Sequence, residues 1–300
     1  MKTLIPQNSA IGVITPASSL QSPEQIRNGL TYLTNLGYKI VLGNFVYNNN
    51  EHVSGTPQER ASDIMNFFKN DAIKAIIATR GGYGSQEVLP YLDYDIIRCN
   101  PKPIIGFSDI TALQNAIYTQ TKVPSIAGIM LKYDFADSNI HYQTLDSFSN
   151  LINGCFTTIS AGNILNSGFA EGVLIGGNLR TFVSLAGTAY FPPLSGKILF
   201  LEDVDEKTYN IERMLTQLEQ QKDFKQLSAV IFGAFTNCEL NHPEDNDVEK
   251  ILDNFAAKHS RIPMIKHFPH GHIKARQCLP IGVKIKLLAD GKIPLLQAAD

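Results

Sequence analysis

Ser108, Glu202 and the histidines His267, His270 and His272 are the residues whose types and settings could do chemistry in this chain. Ser108 sits in KPIIGFSDITALQNAIY, Lys102 to Tyr118. A Pro-bounded, Ile-rich run suits a buried strand, and Ile110, Leu113 and Ile117 then mark one face of a helix. A serine on such a strand-to-helix turn is held out at the carboxyl edge of a sheet. The N–H groups that follow it lack helical partners and can meet a developing oxyanion. Ser108 or Asp109 equally suits a helix cap, and Ile110 stands where a G-x-S-x-G elbow carries glycine. A serine nucleophile needs a general base, and the base needs a third group to fix its tautomer. Glu202 ends the apolar strand KILFL, Lys197 to Leu201, and a histidine near position 270 supplies the base. The plain alternatives are a solvated cap for Glu202 and a structural role for the histidine. A metal site is the rival: three histidines within six residues, with Asp203, Asp205 and Glu206 elsewhere, offer zinc-type ligands. Against it, a Pro-His-Gly turn breaks their spacing and H-E-x-x-H is absent.

Positioning these residues requires an alternation of strands and helices. Ala10 to Thr15 reads as a first strand, Ser22-Pro23-Glu24 as a helix start, and Tyr38 to Leu42 as the second strand. The first turn, Thr15-Pro16-Ala17-Ser18, is not G-x-G-x-x-G, so a nicotinamide fingerprint is missing. Thr56-Pro57-Gln58-Glu59 opens another helix. Ile73 to Ala78 is a strand that runs into Thr79-Arg80-Gly81-Gly82-Tyr83-Gly84-Ser85. Glycines at that density mark a tight turn, or a loop that offers an N–H to a substrate oxygen. Both this loop and Ser108 fall at strand carboxyl ends, where open parallel sheets place their sites. The texture changes over 154–169, expected to be a linker between an N-terminal α/β domain (1–153) and a mixed α/β C-terminal domain (170–300). The latter ends in short strands from Leu279 to Leu296, with turns at Gly282 and Asp290-Gly291.

Composition narrows the class. The 300 residues are 44% hydrophobic and 18% charged with a net charge of −2, which suits a globular protein and gives no reason to expect nucleic acid or an anionic membrane as partner. No run of ~18 apolar residues exists, so no transmembrane helix is expected. The opening segment is too short and too interrupted to read as a signal peptide. Cys99, Cys155, Cys238 and Cys278 are widely spaced, which fits a reducing cytoplasm.

Seven short segments then occur in a telling order: Thr15-Pro16-Ala17-Ser18, Arg80-Gly81-Gly82-Tyr83-Gly84, Gly106-Phe107-Ser108-Asp109, Gly176-Gly177-Asn178-Leu179, Leu201-Glu202-Asp203-Val204, Ile211-Glu212-Arg213-Met214-Leu215, and Gly271-His272 followed by Pro280-Ile281-Gly282. In this the chain resembles the LD-carboxypeptidases, serine peptidases of the murein tetrapeptide carboxypeptidase family. The resemblance implies a flavodoxin-like N-terminal domain and a C-terminal domain of swivelling β/β/α type, with the site between them. It implies Ser108 as nucleophile, His272 as base and Glu202 as acid. The oxyanion donors would be the N–H of Asp109 and that of Gly82, with Gly81 as the alternative. It further implies a homodimer, no metal and no cofactor, and a cytoplasmic muropeptide substrate that loses its terminal D-alanine. Arg80 is a possible fork for the free carboxylate. A related branch, similar to the microcin C immunity peptidases, cleaves peptidyl-nucleotide toxins. Stacking an adenine favours an aromatic platform, often Trp, and this chain has none. A ligand-binding protein without catalysis is the third reading. Two departures from the family pattern stand out: Asp205 where glycine is expected, and His270, which crowds His272.

Overall fold

The computed structural model describes residues 5–136 and 140–299. The chain divides into two units. One runs through Cys155 and takes back Gln277–Ile281; the other holds Phe156–Arg276 and the chain from Gly282 onward.

In the first unit β1 (Ala10–Ile14), β2 (Lys39–Leu42), β3 (Ile73–Ala78), β4 (Ile104–Gly106) and β5 (Ser125–Ala127) pair in parallel, in the order 2-1-3-4-5. That is the flavodoxin-like order. Its helices are α1 (Glu24–Asn35), α2 (Pro57–Lys69), α3 (Tyr94–Cys99), α4 (Ile110–Thr121) and α5 (Tyr142–Ile152), with a 3-10 segment at Ser85–Tyr91. The central strands are buried along nearly their whole length, as parallel strands covered on both faces must be. Thr56 starts α2 with a full capping box: its hydroxyl accepts from Glu59 N–H, and Glu59 accepts from Thr56 N–H at 2.8 Å. The far end of α2 is closed by Lys102, whose amine donates to the carbonyls of Phe67, Phe68 and Asn70. This ties the chain just ahead of β4, and so the approach to Ser108, to a neighbouring helix. The spacing of Ile110, Leu113 and Ile117 predicts one apolar face. Instead α4 is buried almost all round, with Gln114 donating to the Gly106 and Ile126 carbonyls.

The second unit is built on β6 (Ile159–Ser160), β7 (Asn163–Asn166), β8 (Gly168–Asn178), β9 (Lys197–Val204), β10 (Ala229–Thr236) and β11 (Met264–Lys266). After β12 (Leu279–Ile281) it closes with β13 (Lys284–Ala289) and β14 (Leu295–Ala298). Its sheet runs β6-β14-β13-β8-β9-β10-β11-β7; β8 to β11 are parallel, and β13, β14, β6 and β7 extend it in antiparallel fashion. The α-helices α6 (Leu179–Ser184), α7 (Thr208–Glu219) and α8 (Val248–Lys258) accompany it, with a 3-10 turn at Phe224–Gln226. The expected linker therefore carries two short strands of this sheet.

The strand β12 departs from the expectation that the chain from 170 onward stays in one domain. It pairs antiparallel with β5 at the outer edge of the first unit's sheet. An edge position is where Pro280, which has no N–H to donate, is tolerated. No helix among the described residues is long and apolar enough to cross a membrane.

Candidate active site

Ser108 lies between β4 and α4 with φ +62°, a left-handed conformation that costs a non-glycine residue on the order of 1 kcal/mol or more. Its carbonyl accepts from Thr111 N–H at 3.0 Å, so the helix begins directly beneath it. Asp109 does not cap its own helix. Its carboxylate instead accepts from Ser85 N–H at 2.8 Å, and the Ser85 hydroxyl donates back to the Asp109 carbonyl. Burial pushes the Asp109 carboxyl above its ordinary range, opposed by the Ser85 bonds and the charge of Arg60. The Ser108 turn and the glycine loop after β3 are thus bolted together.

That loop approaches Ser108 closely. A Cβ on Gly81 would stand 3.0 Å from Ser108 Cβ, 3.1 Å from its Oγ and 3.2 Å from the Asp109 nitrogen. Gly82, at φ +112°, likewise has no room: its Cβ would lie 2.3 Å from Ser18 Oγ, which accepts from Tyr83 N–H. The N–H groups of Gly82 and Asp109 have no acceptor among the described residues. Arg60, fully buried, donates to the carbonyls of Pro16 and Gly84 at 2.8 and 2.7 Å and pairs with Glu87. Arg80 donates from Nε to the Gly81 carbonyl and from Nη1 to that of Ser19. Sequence reasoning passed over Ser18, Ser85 and Arg60. Ser18 lay within a segment already singled out, whereas a buried Arg on a helix carries no local signal.

In the second unit Glu202 sits within β9, which continues to Val204 rather than ending at Leu201. Its Oε2 lies 2.8 Å from Nδ1 of His272, a contact across 70 residues of sequence. Glu202 is 1% exposed and His272 22%, so the carboxylate is desolvated and the imidazole is reachable. Glu202 Oε1 is buried without a hydrogen-bond partner. Burial alone would pull the imidazolium pKa of His272 down. The Glu202 hydrogen bond, with the charges of Glu202, Asp203 and Asp205, outweighs burial and holds it above the ordinary value. Asp203 is pushed up to about 6 by burial and by the charge of Glu202, against hydrogen bonds from Val204, Asn178 and Arg180. Gly271 at φ +136° leaves space for this arrangement: its Cβ would stand 2.9 Å from Glu202 Oε2. With Nδ1 committed to Glu202, Nε2 is the nitrogen that can exchange a proton with a substrate.

The three histidines do not gather on one point. His267 turns to Glu249 and Asn163, His270 is buried edge-on against Phe200 at 5.0 Å, and His272 faces Glu202. Among the described residues no group of His, Cys, Asp or Glu could hold a metal ion. Asp205 has φ +55°, which accounts for the glycine expected at that position.

Comparison with known proteins bears directly on these two constellations. The model of the LD-carboxypeptidase N-terminal domain matches residues 11–128, and that of the LD-carboxypeptidase C-terminal domain matches residues 171–287. The chain is 31% identical to a probable murein peptide carboxypeptidase of Bacillus subtilis, over 97% of this chain and 92% of the relative. It is 32% identical to the murein tetrapeptide carboxypeptidase of Pseudomonas aeruginosa, over 94% of each. Among solved structures, the microcin C7 self-immunity protein MccF in complex with aspartyl sulfamoyl adenosine superposes with a TM-score of 0.89 at 26% identity, covering 100% of this chain and 98% of that one. The chain belongs to the LD-carboxypeptidase family and is a serine-type carboxypeptidase.

Proposed function

We propose that this enzyme removes the C-terminal D-alanine from murein tetrapeptide in the cytoplasm, through an acyl-enzyme formed on Ser108. Ser108 Oγ attacks the carbonyl that precedes the D-alanine while His272 Nε2 takes its proton. The N–H groups of Asp109 and Gly82 hold the oxyanion, and the C–N bond breaks as His272 returns the proton to the leaving amine. Water then enters by the same base and releases the tripeptide. Glu202 fixes the Nδ1–H tautomer and balances the imidazolium charge. The observation that carries this reading is the 2.8 Å contact between His272 and a fully buried Glu202, the orienting pair that a serine nucleophile requires. The murein names of two relatives support the substrate. The resemblance also brings with it a homodimer, which sedimentation would check.

The test is release of D-alanine from L-Ala-γ-D-Glu-diaminopimelate-D-Ala by wild type and Ser108→Ala side by side. We expect turnover by wild type and a loss of about 10³-fold or more in the variant. Equal turnover by both proteins would overturn the serine mechanism. Turnover only of an aminoacyl sulfamoyl nucleoside would assign the immunity-type substrate instead, a reading the likeness to MccF keeps in the comparison.

A further inference from the structure

The first unit holds two cations that the mechanism above does not use. Arg80 follows β3, and Lys132 and Tyr133 follow β5. The N–H of Lys132 donates to the Thr79 carbonyl at 2.8 Å, which draws this segment alongside the end of β3. Arg80 Cζ then lies 5.5 Å, and Lys132 Nζ 5.0 Å, from the centre of the same half-exposed Tyr133 ring. No carboxylate among the described residues forms an ion pair with either cation. Burial, and then the charge of Arg80, pull the Lys132 amine below its ordinary value.

Two like charges that share one aromatic ring repel each other, and the ring returns only about 0.5–1 kcal/mol to each at an exposed site. What resolves such a pair is an anion. The donors available to one are specific. Arg80 commits Nε and Nη1 to carbonyls but leaves Nη2, which faces the space that a Cβ on Gly82 would fill, 3.4 Å away. Ser18 Oγ borders that same space and accepts from Tyr83 N–H, so its own proton can be donated. A side chain at 82 would collide with Ser18; with glycine there, Ser18 Oγ and Arg80 Nη2 lie 2.3 and 3.4 Å from one point, so the two donors are close neighbours. The neighbouring glycine, Gly81, is the residue against Ser108 Oγ. An anion held here is therefore within about one amino acid of the carbonyl under attack, and in an exopeptidase substrate the group at that distance is the free terminal carboxylate.

We propose that Ser18, Arg80 and Lys132, gathered about Tyr133 with Gly82 as floor, bind the free carboxylate of the amino acid that is removed. This rests on the peptidase reading above, and it adds Lys132, Tyr133 and Ser18 to a role for which the sequence offered Arg80 alone. A planar carboxylate can span the fork of Arg80 and a second donor, with charge-assisted hydrogen bonds.

The experiment pairs N-acetyl-D-alanine with N-acetyl-D-alaninamide, titrated calorimetrically into wild type, Lys132→Met and Lys132→Arg. Wild type should bind the acid about tenfold more tightly than the amide. Lys132→Met should cut that preference about three- to tenfold and leave amide binding alone, and Lys132→Arg should restore most of it. On the tetrapeptide, Lys132→Met should raise KM far more than it lowers kcat. Equal binding of acid and amide by wild type, no binding of either, or equal weakening of both by Lys132→Met would each overturn the clamp. If wild type hydrolyses no such peptide but the acid–amide preference appears and depends on Lys132, the clamp stands and the murein reading falls.

Discussion

The turn that carries Ser108 is held mainly by backbone, whereas Glu202 and His272 are held by buried side chains. Around Ser108 the determinants are a left-handed φ, the start of α4, two glycines with no room for Cβ, and two Asp109–Ser85 hydrogen bonds, each with a main-chain group at one end. Around His272 they are a carboxylate 1% exposed, its 2.8 Å contact with the imidazole and the charges of Asp203 and Asp205. A serine nucleophile, the role proposed for Ser108, needs direction, which backbone supplies without titrating. The base needs a tuned proton affinity, which only side-chain charge and burial supply. The two regions should therefore fail differently: the first by geometry, the second by chemistry at unchanged geometry.

The largest expected effect breaks the second region. Glu202→Gln keeps the volume of the side chain but leaves His272 Nδ1 without a carboxylate, and kcat should fall about 10³- to 10⁴-fold. His272→Ala should cost as much. Adding Glu202→Gln to His272→Ala should then cost little more, because the acid acts only through the base. Full additivity in steady-state kinetics would separate the two residues and dissolve the pair.

A smaller loss breaks the first region. Gly81→Ala places a Cβ 3.0 Å from Ser108 Cβ, so the serine or the loop has to yield by a few tenths of an ångström. We expect kcat to fall about 10- to 100-fold with the pH profile unmoved. Gly271→Ala is its counterpart in the second unit. There the clash is with Glu202 Oε2 at 2.9 Å and φ is +136°, so activity and thermal stability should fall together. A Gly81→Ala enzyme with a displaced pH limb would contradict the division between geometry and charge.

The pH limb itself sharpens the comparison. In the proposed mechanism His272 must be neutral to accept the proton of Ser108, and its pKa is held above the ordinary 6.5 by Glu202, against burial. The acid limb of kcat/KM should therefore lie above pH 6.5, with activity rising as His272 deprotonates. Stability runs the other way. A raised histidine pKa means that the folded state binds the proton more tightly, so its contribution is full below about pH 6.5 and is lost as pH rises through the folded value. Asp203→Asn removes one of the negative charges and should move the limb down by a fraction of a unit. A limb that stays put would leave Glu202 as the only group that matters to the base.

How much of this could be read in the sequence follows the same division. The Ser108 turn is local: a strand run, a change of period and a glycine loop lie within about thirty residues, so elements and site were legible together. The parallel α/β character of β1 to β5 followed from strand–helix alternation, whereas their flavodoxin-like order was implied only by the family resemblance. Glu202 and His272 meet across 70 residues, and no periodicity encodes that contact; the order of the short motifs did. The partner of β12 was not legible, because three residues, Leu279-Pro280-Ile281, carry no sign of which sheet edge they join. Lys132 was invisible for a different reason. Its role depends on where the loop after β5 lies beside β3, a tertiary fact written in two backbone hydrogen bonds rather than in a motif.

The smallest expected effect sits where the two regions' rules overlap. Asp205 is an exposed side chain whose charge helps to hold the His272 pKa up, on a backbone at φ +55° that glycine would occupy without strain. Its N–H is fixed to the Thr236 carbonyl at 2.9 Å, and Asn237, also left-handed, follows directly, so the conformation is imposed by the end of the sheet rather than chosen by the aspartate. Aspartate tolerates this region better than most residues, and glycine carries more entropy in the unfolded chain, so the two effects nearly cancel. Asp205→Gly should gain about 0.5 kcal/mol, read as a rise of ~1–2 °C in Tm. Asp205→Ala should lose about 1 kcal/mol, since it keeps the left-handed backbone with a residue that tolerates it less well than aspartate. Both should lower the acid limb of kcat/KM slightly and equally, because both delete the same charge. Opposite shifts in stability with a common shift in pH would show one position obeying the backbone rule of Ser108 and the charge rule of His272 at once.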